Sequence, residues 1–273
     1  MGHNLDGVTK DVLGRLVMEA RQDLQRRRYL MDSDRFEESV AAYQPKDFLG
    51  ALRGPHLAVI AEMKQRTPSM GVLREEYRPS DIAHAYAEGG AAAISVLTHM
   101  AGFGGRPDHI RMVRAATDLP ILRKDFVTDP YEVAEARACG ADAVLLIVAA
   151  LERSQLKDLL AVSRSRGLAA LVEVHDEGEA AAALEGGAQA VGVNHRNLRD
   201  FSVDLALTDR LRPLVPKEVV FVAESGIHGP EDARRMREAG ADAILVGELL
   251  MRSDDPASRI RELVLAGRAQ GAV

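Results

Sequence analysis

Eight short apolar runs separated by helical stretches, a fourfold internal repeat and a set of charged strand ends predict a closed α/β barrel of the (βα)8, or TIM, type. The runs fall near residues 57–64, 92–97, 120–124, 142–147, 169–174, 189–194, 219–224 and 243–247. Each pair of neighbours is separated by enough chain for one crossover helix, which demands parallel pairing. The repeat reads EGGAAAISV (88–96), ACGADAVLL (138–146), EGGAQAVGV (185–193) and AGADAILVG (239–247). In each copy a glycine ends a helix in the left-handed conformation, small residues turn the chain and an apolar strand begins. These copies lead into strands two, four, six and eight. A βαβα pair used four times closes a ring.

The elements follow in order. The start, MGHNLDGVTK, lacks the apolar stretch of a signal peptide, and Asp6 stands where a myristoylation signal needs Ser or Thr. From Asp11 to Arg28 the chain reads as a helix, with Val12, Leu16, Ala20 and Leu24 spaced by four. Its basic end, RQDLQRRR, complements the helix dipole. A second helix is expected over Lys46–Leu52, broken by GPH. Residues 1–54 are thus expected to pack as an extension on a barrel of residues 55–273, one domain overall. After strand two, GFGG (102–105) lacks the Lys-Ser/Thr of a phosphate loop and predicts a mobile lid anchored by Phe103. Asp129-Pro130-Tyr131-Glu132 reads as a capping box opening a helix, with Asp as the cap and proline at the first helical position. Cys139 lies late in that helix and reads as a buried thiol. Gly229-Pro230 opens the helix before strand eight.

Composition narrows the function. With 273 residues, 47% of them hydrophobic, the chain can bury one large core. A net charge of −6 leaves no broad positive surface for a phosphate backbone, and the lack of Trp removes stacking platforms, so nucleic acid is not an expected partner. The longest apolar run, AVLLIVAAL, falls well short of the roughly eighteen residues that span a bilayer. A single cysteine permits no intrachain disulfide and suits the cytoplasm. His99, His175, His195 and His228 all follow strands, but none are spaced to share an ion, so no metal is expected.

The strand ends carry the chemistry. VIAEMK ends on Glu62 and Lys64, PILRKD holds Lys124, ALVEV holds Glu173, AVGVN ends on Asn194 and VVFVAES ends on Glu224 and Ser225. An apolar strand tolerates ionisable groups only where it leaves the core, and in a barrel that rim is the active face. The chain has only six lysines against 29 arginines, yet two of the six sit at strand ends, where an ammonium can donate a proton and a guanidinium cannot. Glu62, Lys64, Lys124, Glu173 and Glu224 form a mixed acid–base wall, with Asn194 as a hydrogen-bond donor and Arg196 as an anion clamp or carboxylate partner. The competing interpretation is a ring of structural salt bridges, in part between Glu224 and Arg196. Glycines just beyond strands seven and eight, in AESGI and LVGEL, place Ser225, Gly226, Gly247 and Glu248 as a phosphate cradle, with Glu248 offering its N–H and turning its carboxylate away.

These residues resemble the indole-3-glycerol phosphate synthase family over nearly the whole chain. AEMKQRTPSMG, LRKDF, GADAVLLI, LVEVHDE, GVNHRNL and AESGI appear in family order and at family spacing. The resemblance implies a carboxy-lyase of tryptophan biosynthesis. It would convert 1-(2-carboxyphenylamino)-1-deoxyribulose 5-phosphate into indole-3-glycerol phosphate, carbon dioxide and water, with no metal or organic cofactor. It also implies an N-terminal extension on the barrel mouth. Lys124 would be the general acid of ring closure. Lys64 would bind the substrate carboxylate, and Glu173 would stabilise the cationic ring and act in dehydration. Glu62 and Asn194 would hold hydroxyls, and Glu224 and Arg196 would order the pocket. Ser69, Phe103, Arg196 and Ser225 would touch the substrate.

Thr67, His99, Arg106 and His195 depart from the family pattern without removing a proposed catalytic group. They leave open a specialised copy serving secondary metabolism. A non-catalytic phosphate-binding barrel is a further alternative, as is phosphoribosylanthranilate isomerase, whose chemistry would need a Cys at a strand end. A monomer or weak homodimer is expected.

Overall fold

A computed structural model describes residues 12–30, 33–197 and 202–268, with backbone alone for Leu30 and residues 33–35. The expectations for MGHNLDGVTK and Asp11 lie outside the described residues.

Eight parallel strands close into a barrel: β1 (Ala58–Met63), β2 (Ala93–Leu97), β3 (Ile121–Lys124), β4 (Ala143–Ile147), β5 (Ala169–Val174), β6 (Ala190–Asn194), β7 (Val220–Glu224) and β8 (Ala243–Val246), with β8 pairing back onto β1. All eight match the runs expected from sequence to within a residue or two. The repeat glycines Gly90, Gly140, Gly187 and Gly240 have φ of 85°, 95°, 83° and 88°. A Cβ there would be strained, which is why the motif recurs as glycine.

Three helices precede β1: α1 (Val12–Leu30), α2 (Ser33–Ala42) and α3 (Phe48–Leu52). Around the barrel follow α4 (Pro79–Glu88), α5 (Met100–Phe103), α6 (Asp108–Ala116), α7 (Pro130–Cys139), α8 (Arg153–Ser165), α9 (Glu177–Glu185), α10 (Leu207–Leu211), α11 (Pro230–Glu238), α12 (Glu248–Met251) and α13 (Pro256–Ala266). The α7 capping box is present in full: Asp129 accepts from the Tyr131 amide, and Glu132 accepts from the amide of Asp129. Cys139 is buried at the end of α7.

The helix α2 was not expected, and the helix expected over 46–52 begins only at Phe48. The pattern of α2 is weak because, among its described side chains, only Phe36 and Val40 face inward, packing against Tyr131, Ala134 and Ala138 of α7. The Phe36 and Tyr131 rings stack at 4.6 Å. Tertiary contact, not periodicity, holds this helix.

Two cores result. One lies between strands and helices; the other fills the barrel and continues into Leu16, Val17 and Ala20 of α1 and into Phe48 and Leu52 of α3. The N-terminal segment is locked to the barrel floor by Asp142, fully buried at the start of β4. Its carboxylate accepts from the amides of Lys46 (2.6 Å) and Ile121 (2.7 Å), from Tyr43 Oη (2.6 Å) and from Arg114 (2.5 Å). Replacing Asp142 with Ala strands a half-buried guanidinium and two amides. Urea denaturation should show a loss of about 3–5 kcal/mol, and a loss below about 1 kcal/mol would contradict the locking role.

Candidate active site

The C-terminal ends of the strands open into one cavity of ≈ 170 Å³. Every barrel strand reaches it, through Glu62, Leu97, Lys124, Ile147, Glu173, Asn194, Glu224 and Leu245. Register explains the convergence. Glu173 lies beside Gly192, Asn194 beside Glu224, and Glu224 beside Leu245, so their side chains point the same way, into the barrel.

Lys124 is the hub. Its ammonium donates to Glu224 Oε2 at 2.7 Å and to Glu173 Oε2 at 3.1 Å. Asn194 Nδ2 donates to the other Glu173 oxygen at 3.0 Å, while Asn194 Oδ1 accepts from Ser225 Oγ at 2.8 Å. Lys64 pairs with Glu62 through a short contact. Burial opposes charge on Lys124, but the Glu224 and Glu173 carboxylates outweigh it and hold the ammonium well above its ordinary range. Burial also disfavours charge on Glu173, yet Lys124, His175 and Asn194 together leave its pKa lowered. Glu224 goes the other way. Burial raises it to about 7 despite Lys124, with Glu173 and Glu62 adding repulsion. One oxygen each of Glu62 and Glu224 has no hydrogen-bond partner although buried.

Two glycines make room for this cluster. A Cβ at Gly192 would collide with Glu224 Oε1, and one at Gly247 would collide with Glu62 Oε1. Ser225 and Gly226 are both left-handed, with φ of 67° and 76°. Gly226, Gly247 and Glu248 line the cavity, and among the described residues their amides meet no backbone or side-chain acceptor. They are therefore free to face an anion.

All the residues singled out from sequence (Glu62, Lys64, Ser69, Phe103, Lys124, Glu173, Asn194, Arg196, Glu224, Ser225, Gly226, Gly247 and Glu248) line this cavity. Two expectations change. Glu224 is paired with Lys124, not Arg196; the guanidinium of Arg196 lies 4.0 Å from Glu248, whose carboxylate also accepts from Arg252 at 3.3 Å. The GFGG stretch, expected as a mobile lid, is compactly folded here. Met100–Phe103 forms a helical turn closed by left-handed Gly104. Gly105 is packed so tightly against the Leu97 carbonyl that no Cβ fits. Phe103 sits on the cavity wall, its ring centroid 6.5 Å from that of Phe126.

The apolar wall was not anticipated. Val12, Leu13 and Leu16 of α1 roof the cavity, with Phe126, Leu145 and Ile147 beneath. Their only sequence signal was helical or strand periodicity, which core packing produces equally. The hairpin formed by Arg66–Thr67 and Gly71–Val72 completes the rim, tied down by Arg66 Nη2 donating to the Met100 carbonyl at 2.9 Å and the Ala101 carbonyl at 3.0 Å.

A (βα)8 barrel with paired lysines and carboxylates at the strand ends, beside free backbone amides, defines an acid–base enzyme. Two solved structures share the fold. A thiamine phosphate pyrophosphorylase from Pyrococcus furiosus aligns with TM-score 0.60 at 21% identity, covering 79% of this chain and 96% of that one. An N-acetylmannosamine-6-phosphate 2-epimerase from Clostridium perfringens aligns with TM-score 0.60 at 20% identity, covering 77% and 93%. The indole-3-glycerol phosphate synthase family model matches residues 13–263. Indole-3-glycerol phosphate synthase 2 of Streptomyces coelicolor is 57% identical, over 93% of this chain and 98% of its own length. The synthase of a Mycobacterium species is 47% identical over 94% of each. The chain belongs to the indole-3-glycerol phosphate synthase family, carboxy-lyases of tryptophan biosynthesis. Among the described residues, no helix is long and apolar enough to cross a membrane.

The raised Glu224 has a measurable consequence. Between its unfolded value near 4.5 and its folded value of about 7, the native state binds more protons than the unfolded chain. Its contribution to stability therefore falls as pH rises through that window. In Glu224→Gln the decline in unfolding free energy from pH 5 to pH 7 should be smaller than in the parent, as measured by urea titration at each pH. Equal slopes would contradict the raised carboxyl.

Proposed function

We propose that this cavity closes the indole ring of 1-(2-carboxyphenylamino)-1-deoxyribulose 5-phosphate, releasing carbon dioxide and water. The single observation that carries the proposal is the placement of Lys64, Lys124 and Glu173 around one cavity with an apolar wall on one side and unpartnered amides on the other. The division matches the substrate. A benzoate ring suits the wall of Leu16, Phe103, Phe126 and Ile147, and a phosphate suits the amides of Gly226, Gly247 and Glu248, with Arg196 alongside.

Lys124 acts as the general acid. As the ring carbon bearing the carboxylate attacks the ribulose carbonyl, the ammonium protonates the oxygen that becomes a hydroxyl. Its two carboxylate partners keep it charged until the substrate arrives. Lys64 meets the substrate carboxylate, which leaves as carbon dioxide when aromaticity is restored. Glu173, held ionised beside Lys124 and Asn194, stabilises the cationic ring and accepts a proton in the dehydration. Glu62 and Asn194 hold hydroxyls, Ser69 sits at the rim, and Glu224 steadies the Lys124 ammonium.

Residues 1–54 serve as an extension whose α1 roofs the site on a 55–273 barrel, the whole working as a cytoplasmic monomer or weak homodimer. A pure binding barrel has no use for three buried carboxylates and two ammoniums. The isomerase alternative needs a cysteine at a strand end, whereas Cys139 ends α7.

Lys124→Met should abolish indole formation, followed by product fluorescence without added metal, while binding of the substrate by calorimetry persists. Substantial turnover would remove Lys124 from its role. Ser225→Ala removes the hydroxyl that holds Asn194 and the left-handed turn before Gly226, and should mainly raise KM, by about fivefold for the loss of one hydrogen bond. An unchanged KM would argue against the cradle.

A further inference from the structure

Ser225 is the only non-glycine residue with positive φ among those described, at 67°. An L-residue in that conformation costs on the order of 1–2 kcal/mol, so neighbouring contacts must hold it there. Two contacts do, both from the end of β6. Asn194 Oδ1 accepts from the Ser225 hydroxyl at 2.8 Å, and His195 Nδ1 lies 3.0 Å from the Ser225 carbonyl oxygen.

The second contact determines the histidine tautomer. A carbonyl can only accept, so Nδ1 carries the proton. Nε2, 2.7 Å from Thr208 Oγ1, then accepts from that hydroxyl. Burial lowers the pKa of His195 and favours this neutral form, and the ring is only 2% exposed. Thr208 is fully buried on α10, so the histidine is braced from the outer layer of the barrel and does not line the cavity. In a trans peptide the N–H points opposite to the C=O. Drawing the Ser225 carbonyl outward onto His195 therefore turns the Gly226 N–H inward, where no acceptor among the described residues meets it.

We propose that His195 is a positioning residue for phosphate binding. Through the Ser225 carbonyl it fixes the Ser225–Gly226 peptide with its N–H aimed at the substrate phosphate, and Thr208 fixes the imidazole. This rests on the phosphate cradle proposed above.

The test compares His195→Ala and His195→Asn with the parent enzyme. Asn Nδ2 occupies the branch position of His Nδ1 and restores a donor to the Ser225 carbonyl without the Thr208 contact. Three quantities are read: kcat, KM for the carboxyphenylamino-deoxyribulose phosphate, and the competitive inhibition constant of inorganic phosphate. In His195→Ala, KM and the phosphate constant should both rise about tenfold, the effect of losing one hydrogen bond to a charged group, with kcat within about threefold of the parent. His195→Asn should recover most of the phosphate affinity.

A folding defect lowers the active fraction and kcat together, leaving KM and the phosphate constant unmoved, so that pattern overturns the proposal. So does a His195→Asn variant no better than the alanine. If inorganic phosphate fails to compete in the parent enzyme, the cradle itself is wrong, a failure distinct from that of the histidine.

Discussion

Lys124 places a positive charge among the buried side chains at the barrel mouth, and much of the site follows from keeping that charge tolerable. A lysine side chain that is only 14% exposed needs counter-charges at hydrogen-bond distance, and Glu173 and Glu224 supply them from strands five and seven. Two carboxylates around one ammonium overcompensate. Burial first, and then the repulsion of Glu173 and Glu62, makes Glu224 hold its proton more tightly despite Lys124, while Glu173, which has His175 and Asn194 in addition to Lys124, keeps its pKa lowered. One carboxylate is thus poised as a base and its twin is biased toward a neutral acid, through environment alone. The crowding also accounts for Gly192 and Gly247, where any side chain would occupy the space of Glu224 or Glu62.

A second buried charge cluster uses the opposite face of the same strand. Alternation along β3 sends Lys124 into the mouth and Arg123 outward, where it is fully buried against α7. Arg123 donates to Glu135 at 2.8 Å, to the Glu132 carbonyl at 3.1 Å, to Asp125 at 3.1 Å and to Thr98 at 3.2 Å. Arg27 of α1 reaches the same Glu135 at 2.8 Å. A planar, permanently charged fork suits this structural role and a titratable ammonium suits the other. The helix that roofs the cavity is consequently tied by charge to the strand that carries its central lysine.

The barrel was legible in the sequence because parallel strands buried on both faces must be apolar runs, and because each repeat requires a glycine at a left-handed turn. The ionisable site residues were legible for the same reason in reverse: Glu62, Lys64, Lys124, Glu173 and Glu224 are out of place in apolar runs unless they face the mouth. The pairing of Glu224 was not legible, since Arg196 and Lys124 are equally plausible partners until register places Glu224 beside Asn194 and facing inward. The roof of Val12, Leu13 and Leu16 carries the same signature as any core-facing helix. The glycines of GFGG suggest a lid in the sequence alone, while in the fold Gly104 ends a helical turn and Gly105 permits close packing.

Strain at Ser225 belongs to the same logic. A glycine there would adopt the conformation without penalty but would lose the hydroxyl that holds Asn194. Asn194 in turn donates to Glu173, so the chain Ser225–Asn194–Glu173–Lys124 links the amides beside Gly226 to the Lys124 ammonium through three side-chain hydrogen bonds of 2.8, 3.0 and 3.1 Å. The backbone penalty at one residue is offset by the orientation of a network that spans both ends of the cavity. In the proposed reaction a phosphate settling at one end meets a site whose far end is already aligned, and that coupling is what a two-ended substrate requires of a rigid barrel.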